Sequence, residues 1–371
     1  MKLCVERAIT PAGIVNNAAI SIENGVITQI EASVDLPVLS GTLLPGYVDT
    51  QVNGGGGVLF NQHLDYKSLD VLAKAHLQYG TTSMLPTLIT DCEQVMAKAA
   101  DAIAEAIDAN HPTIVGVHYE GPFINELKRG VHDKQFIRTP KDSELAILSR
   151  KDLGKVLVTV APDNVPLSFI QELVAEGVVV ALGHSNATYE QTQAALDAGA
   201  TGFTHLYNAM SALQSRAPGM VGAALNNTSA YCGLIVDHHH VHPSSAALAI
   251  KAKGAEHIML VTDAMAHVGC ELTELEFFDT VIKRADGKLT TPDGTLAGSC
   301  LDMHLAVVNT HKDLGFSLID CSRMASQTPA KFMSLENSLG SIAVGQKANL
   351  LLVNDKLELD TIWLNGTEVA K

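Results

Sequence analysis

The chain has 371 residues, 47% of them hydrophobic and only 18% charged, enough apolar material for a large buried core and too ordered a composition for a disordered chain. A formal net charge of −15 and a pI near 5.4 exclude a surface built for nucleic acid or anionic membrane, because phosphates gather clustered Lys and Arg. Six cysteines (Cys4, Cys92, Cys232, Cys270, Cys300, Cys321) form no CxxC pair and no compact framework, so they read as reduced, mostly buried thiols.

The first fifteen residues lack a long apolar core and a small-residue cleavage site, and no later stretch reaches the length of a membrane span. The expectation is a soluble cytoplasmic protein with no membrane partner. Residues 1–42 alternate in short pieces, Ala18–Ile22 and Gly25–Ile30, around Asn24-Gly25, a strong hairpin signal.

Eight short apolar runs follow: Leu43–Gln51, Thr82–Leu88, Thr113–Tyr119, Val156–Ala161, Val178–Gly183, Gly202–His205, Tyr231–Val236 and Ile258–Thr262. Most are rich in Val, Ile, Leu, Thr or Tyr and do not alternate, as suits parallel strands buried on both faces. Segments between them, such as Tyr189–Ala198 and Ser244–Lys253, have helical spacing. Eight βα units over about 250 residues predict an α/β fold of the (β/α)8 barrel type, placed at 43–338. Phe277–Ser299, with Asp286-Gly287 and Asp293-Gly294 turns, reads as a β insertion able to cover the site. Residues 339–371 alternate again, in Gly340–Val353 and Thr361–Glu368, with a turn at Asn365-Gly366. Both ends are expected to form one small β-sandwich domain.

A barrel of this type carries its active site at the C-terminal ends of the strands. Four runs stop at or beside a residue that can hold a metal or move a proton: Glu120, His184, His205 and Asp263. One carboxylate and two imidazoles leave a coordination position open for water, the pattern of a catalytic metal site. A lone strand-end histidine is usually satisfied by hydrogen bonds, but three ligands at matching strand ends point to an ion. Near it, Asp263 can take a proton from water and later deliver it to a leaving amine; its plain structural reading is a cap for the segment starting at Ala264.

Two conspicuous features carry less. Asn53-Gly54-Gly55-Gly56-Gly57 has neither GxGxxG spacing within a βαβ unit nor a following Gly-Lys-Ser/Thr, and reads as a flexible loop lining the site. Asp237-His238-His239-His240-Val241-His242 is either a metal-binding run or an accidental patch.

Leu44-Pro45-Gly46-Tyr47-Val48-Asp49 and the closing segment from Gly340 to Leu350 resemble the entry and return segments of the amidohydrolase superfamily. Within it, six segments in order resemble the N-acetylglucosamine-6-phosphate deacetylase family. They begin at Gln51-Val52-Asn53-Gly54-Gly55, His118-Tyr119-Glu120-Gly121-Pro122-Phe123, Leu182-Gly183-His184-Ser185, Thr204-His205-Leu206-Tyr207-Asn208-Ala209-Met210, Val261-Thr262-Asp263-Ala264 and Leu296-Ala297-Gly298-Ser299.

The resemblance implies hydrolysis of the acetamide of N-acetyl-D-glucosamine 6-phosphate, in amino-sugar catabolism, with Asp263 as general base and then acid. It implies metal ligation by Glu120, His184 and His205, with Gln51 touching the ion directly or through water. The chain departs from the His-x-His and bridging lysine of binuclear relatives, having Gln51-Val52-Asn53 and Ala161-Pro162 instead, so one divalent metal is expected. Zinc comes first, and Fe2+, Co2+ or Mn2+ suit the same donors. His132 is expected beside the acetamide, and Arg216 and His240 at the phosphate. Val131, Asn208, Ala209, Leu296, Ala297 and Gly298 are expected around the sugar and phosphate. The resemblance also implies a homodimer in which Arg216 reaches the neighbouring subunit's site. Alternatives are the N-acetylgalactosamine epimer with the same mechanism, or a silent phosphosugar-binding protein on the same scaffold. A cyclic-amide hydrolase predicts a binuclear centre, which the residues do not offer.

Overall fold

Paired residues at positive φ make three of the four tight turns expected from Asn-Gly and Asp-Gly; at Asp293-Gly294 only the glycine (86°) has positive φ. Asn24 and Gly25 (50° and 78°), Asp286 and Gly287 (51° and 76°), and Asn365 and Gly366 (49° and 74°) each adopt the left-handed pair of a type I′ hairpin. The computed structural model describes residues 1–32 and 37–370; positions 33–36 and 371 of the expected end segments lie outside the described residues. Strands Lys2–Thr10, Gly13–Glu23, Val26–Glu31 and Leu39–Pro45 join Leu350–Val353, Leu359–Leu364 and Thr367–Glu368 in one seven-stranded sheet. Leu39–Pro45 ties the two chain ends together, pairing parallel with Lys2–Thr10 and antiparallel with Leu350–Val353. Val5, Ile20, Ile27, Leu43, Leu350 and Trp363 share its core.

The expected run Leu43–Gln51 is two strands. Residues up to Pro45 stay in the end sheet, and the chain turns at Gly46 into the barrel. A Cβ at Gly46 would lie 2.2 Å from Thr82 Oγ1, so only glycine lets the backbone pass. Both halves are equally apolar, which is why hydropathy shows no break.

The barrel strands are β1 (Tyr47–Val52), β2 (Thr81–Ile89), β3 (Gly116–Glu120), β4 (Lys155–Val160), β5 (Val179–Leu182), β6 (Gly202–Phe203), β7 (Tyr231–Leu234) and β8 (Ile258–Leu260). They pair in parallel and in sequence order. All nine residues of β2 are buried, as expected for a strand covered on both faces. Helices Tyr189–Asp197 and Pro243–Lys253 occupy segments that the helical spacing marked out.

The seam between β8 and β1 closes just beyond β8. Asp263 N–H donates to the Gln51 carbonyl (3.0 Å), and Val52 bridges Ala264. Behind this seam the Asp49 carboxylate accepts from Thr262 Oγ1 at 2.6 Å and from the Gln51 N–H at 3.2 Å. The same joint therefore aligns Gln51 and Asp263.

The insertion is a three-stranded antiparallel sheet, Glu274–Phe277, Thr280–Ala285 and Lys288–Thr290. Leu275, Phe277, Ile282 and Leu289 pack on Leu59, Ile89 and Met265 at the barrel mouth. Among the described residues no helix is long and apolar enough to cross a membrane.

Candidate metal centre and active site

Among the non-glycine residues at the mouth that hold positive φ are three with reactive side chains: His184 (46°), His205 (30°) and Asp263 (51°). A left-handed residue breaks the alternation of the strand before it, at a cost of about 1–2 kcal/mol. Here all three side chains reach one cavity.

Glu120, on the last position of β3, places Oε1 3.1 Å from His184 Nε2 and 3.0 Å from His205 Nε2, and the two nitrogens are 2.9 Å apart. All three residues are buried. His184 Nδ1 donates to the Lys128 carbonyl (2.8 Å), which leaves Nε2 as the ring atom for the cluster. Donors around a tetrahedral ion, each about 2.0–2.1 Å from it, stand about 3.3 Å from one another. The observed triangle needs only slight expansion to seat a divalent ion. Among the described residues this is the one group of three His, Cys, Asp or Glu side chains placed to do so.

Burial opposes charge on Glu120, but hydrogen bonds from His184 and His205 outweigh it and hold the carboxyl well below the usual carboxylate range. Burial likewise opposes protonation of His205, and the hydrogen bond and charge of Glu120 win, raising its pKa. The Glu120 carboxylate thus favours positive charge at this point, a proton on the imidazole that a bound cation would displace.

Asp263 stands beside the triangle. Its Oδ1 accepts from Asn53 Nδ2 at 2.6 Å and Gln51 Nε2 at 3.1 Å. Gln51 Nε2 also donates to Glu120 Oε1 at 3.0 Å, so Gln51 meets the cluster as a donor bridging the two carboxylates. Burial, followed by the charge of Glu120, pushes the Asp263 carboxyl up to about 6. A carboxylate of that basicity suits proton transfer near neutral pH.

His132 faces the cluster with its ring 4.4 Å from that of His184. The Thr90 N–H points at Nδ1 (3.3 Å) and Thr90 Oγ1 lies 2.8 Å from the same atom. A backbone N–H can only donate, so Nδ1 accepts and the ring proton sits on Nε2. Burial, then the neighbouring His184, holds the imidazole well below its usual pKa and therefore neutral. The Arg129 guanidinium fixes the loop by donating to the His132 carbonyl (2.9 Å).

Asn53, Glu120, His132, His184, His205 and Asp263 line a cavity of about 350 Å³, together with Val131, Asn208, Ala209, His240, Leu296 and Gly298. Three expected residues stand apart from its lining: Gln51 lies behind it, bonded to Glu120 and Asp263, and two others lie further off. Arg216 is exposed on the loop after β6, and Ala297 is buried in the core of the insertion. Three residues given no role by the sequence join the site: Asn53, Thr90 and Asp237, which bonds His240. Asn53 lies two residues beyond Gln51, and the strand period of two was a usable signal; Thr90 and Asp237 carry no comparable mark.

A parallel barrel with a buried carboxylate–imidazole triangle and a second buried carboxylate at its strand ends has the architecture of a metal-dependent hydrolase. The model of the amidohydrolase family matches residues 42–369. The chain is 45% identical over 369 residues to an N-acetylgalactosamine-6-phosphate deacetylase of Shewanella sp. (strain ANA-3), covering 97% of this chain and 93% of the relative. It is 32% identical to an N-acetylglucosamine-6-phosphate deacetylase of Haemophilus influenzae, covering 93% and 92%. The crystal structure of N-acetylglucosamine-6-phosphate deacetylase from Pasteurella multocida superposes with a TM-score of 0.95 at 33% identity, covering all of both chains. The chain belongs to the amidohydrolase family, in the group of its amino-sugar 6-phosphate deacetylases.

Proposed function

We propose that the protein hydrolyses the acetamide of N-acetyl-D-glucosamine 6-phosphate to acetate and D-glucosamine 6-phosphate, using one divalent metal held by Glu120, His184 and His205. The observation that carries this reading is the meeting of that triangle with Asp263 and a neutral His132 in one cavity. The family relation supplies the substrate class.

The ion contributes Lewis acidity, which brings the pKa of water down towards about 7. Asp263, held by Asn53 and Gln51, takes a proton from the attacking water as its oxygen bonds to the carbonyl carbon. His132 Nε2–H donates to the carbonyl oxygen as negative charge grows there. Asp263 then hands its proton to the amine nitrogen as the C–N bond breaks, leaving acetic acid and a neutral amine, which become acetate and an ammonium group once the acid's proton passes to the amine. Zinc suits an oxygen and two nitrogens best, and Fe2+, Co2+ and Mn2+ suit them too. His240 meets the phosphate from within the chain. The exposed Arg216 is assigned to the neighbouring subunit's site in a homodimer. A cytoplasmic location agrees with six free cysteines.

A second reading is favoured by the 45% identity to a galactosamine-type relative: the same chemistry on the C4 epimer. One inverted hydroxyl is read by one or two hydrogen bonds, so both sugars fit the same reacting groups. Acetate release from the 6-phosphates of N-acetylglucosamine and N-acetylgalactosamine, side by side, tests both. Preference for the gluco sugar supports the first reading and preference for the galacto sugar the second. Binding without acetate from either would leave a silent phosphosugar-binding protein.

A further inference from the structure

The histidine tract after β7 resolves into separate jobs. His238 Nε2 pairs with Asp313 at 3.0 Å on the surface, and His242 caps helix Pro243–Lys253 by accepting from the Ser244 N–H. Only His240 lines the cavity. Behind it lies a carboxylate to which the proposed reaction assigns nothing. Asp237 Oδ2 is 2.6 Å from His240 Nδ1, and both side chains are 7% exposed. Asp237 Oδ1 accepts from the backbone N–H groups of His239 (2.9 Å) and His240 (2.8 Å), which fixes the carboxylate in place.

We propose that Asp237 is a positioning residue for phosphosugar binding, fixing the His240 imidazole with Nδ1–H inward and Nε2 presented to the substrate's phosphate. The inference rests on the deacetylase reading above for the identity of that ligand. An ionised carboxylate can only accept, so the proton between the two side chains belongs to His240 Nδ1. Although burial works against it, the hydrogen bond from His240 brings the Asp237 carboxyl down to about 2, so the carboxylate stays ionised throughout the working pH range. With Nδ1–H held by the carboxylate, Nε2 is the ring atom turned to the cavity, and a proton on it donates to a phosphate oxygen with charge assistance. Because this contact is made to a part of the substrate that does not react, its loss raises KM and spares kcat.

Asp237→Asn keeps an oxygen for the backbone N–H groups and lets the amide NH2 face Nδ1, which selects the wrong tautomer. His240→Gln leaves the backbone bonds of Asp237 intact and serves as the second variant. Full-length, metal-replete proteins are assayed on the 6-phosphate and on the unphosphorylated N-acetylhexosamine. Each single variant is expected to raise KM for the phosphorylated sugar about tenfold or more with kcat within about threefold, leaving KM for the unphosphorylated sugar unchanged. The double variant is expected to be no worse than His240→Gln, since Asp237 acts through that ring. Equal losses on both sugars, an unchanged KM, or additive effects in the double variant overturn the proposal. Calorimetric titration with inorganic phosphate gives a readout independent of hydrolysis, with binding about tenfold weaker in Asp237→Asn. Equal binding by the two proteins, or none by the wild type, also overturns it. Absence of acetate release by the wild type counts against the deacetylase reading alone.

Discussion

The two ends of the cavity are built differently. At the reacting end Glu120, His184, Asp263, Gln51, Asn53 and His132 are hydrogen-bonded to one another or to fixed backbone groups. Among the residues proposed for sugar and phosphate, Asn208 reaches only backbone carbonyls at 3.3 and 3.4 Å, and Arg216 lies exposed. One chain preorganises the chemistry, whereas for the sugar phosphate it fixes only His240, through Asp237, and the proposed reading leaves the rest of recognition to the substrate and to Arg216 of a second subunit. Changes at the first end should therefore cost kcat, and changes at the second KM.

Asp263→Asn is the sharpest way to break this contrast. It keeps the size of the side chain and removes the base, so kcat is expected to fall about a thousandfold with bound metal retained. A loss below tenfold would end the assignment. Glu120→Gln should strip the ion instead: metal analysis is expected to find about one ion per wild-type chain, much less in the variant, and activity restored only by excess metal. His132→Asn removes the carbonyl donor and should lower kcat by about a hundredfold with a small change in KM. At the other end Arg216→Ala should raise KM about tenfold at unchanged kcat. An unchanged KM there would show that one subunit suffices.

Activity should feel Asp49 least, while stability should feel it clearly. Burial pushes this carboxyl up to about 7. Its folded pKa lies above its unfolded one, so the folded state holds the proton more tightly, and stability declines as pH rises from about 4 to 7. A shift of that size corresponds to roughly 4 kcal/mol. Asp49→Asn imitates the protonated acid, so denaturant melts of the metal-free variant should lose the share of the slope that Asp49 adds to that of Asp263. An undiminished slope would show that Asp49 does not titrate in this range.

The parts of the site legible in the sequence are those where a long apolar run stops at a reactive side chain. Glu120, His184, His205 and Asp263 stood out because hydropathy and chemistry change within a few residues, and the barrel rule then puts them together. Asn53 and Thr90 act through hydrogen bonds formed only once distant segments meet, Asn53 being marked only by its spacing from Gln51, and Asp237 bonds within its own turn, where nothing distinguishes it from an ordinary loop aspartate. Gly46 was hidden because the chain changes sheets without changing polarity. Arg216 was singled out by family resemblance alone, since an exposed arginine on a loop looks like any other. In the segment Leu296-Ala297-Gly298 the outer two residues face the cavity while the Ala297 methyl is buried, a distinction family resemblance does not carry.

The left-handed backbone at His184, His205 and Asp263 bears on how long the protein lasts, beyond what it catalyses. Glycine at these positions would relax the chain and leave a sturdier, idle barrel. With the working residues in place, the mouth of the metal-free protein combines backbone strain with buried charges drawn close together. An ion that binds only the folded form returns stability by mass action, about 2.7 kcal/mol at a hundred times its dissociation constant. The melting temperature should rise with metal concentration, and a cell short of metal should lose the polypeptide to proteolysis as well as its activity.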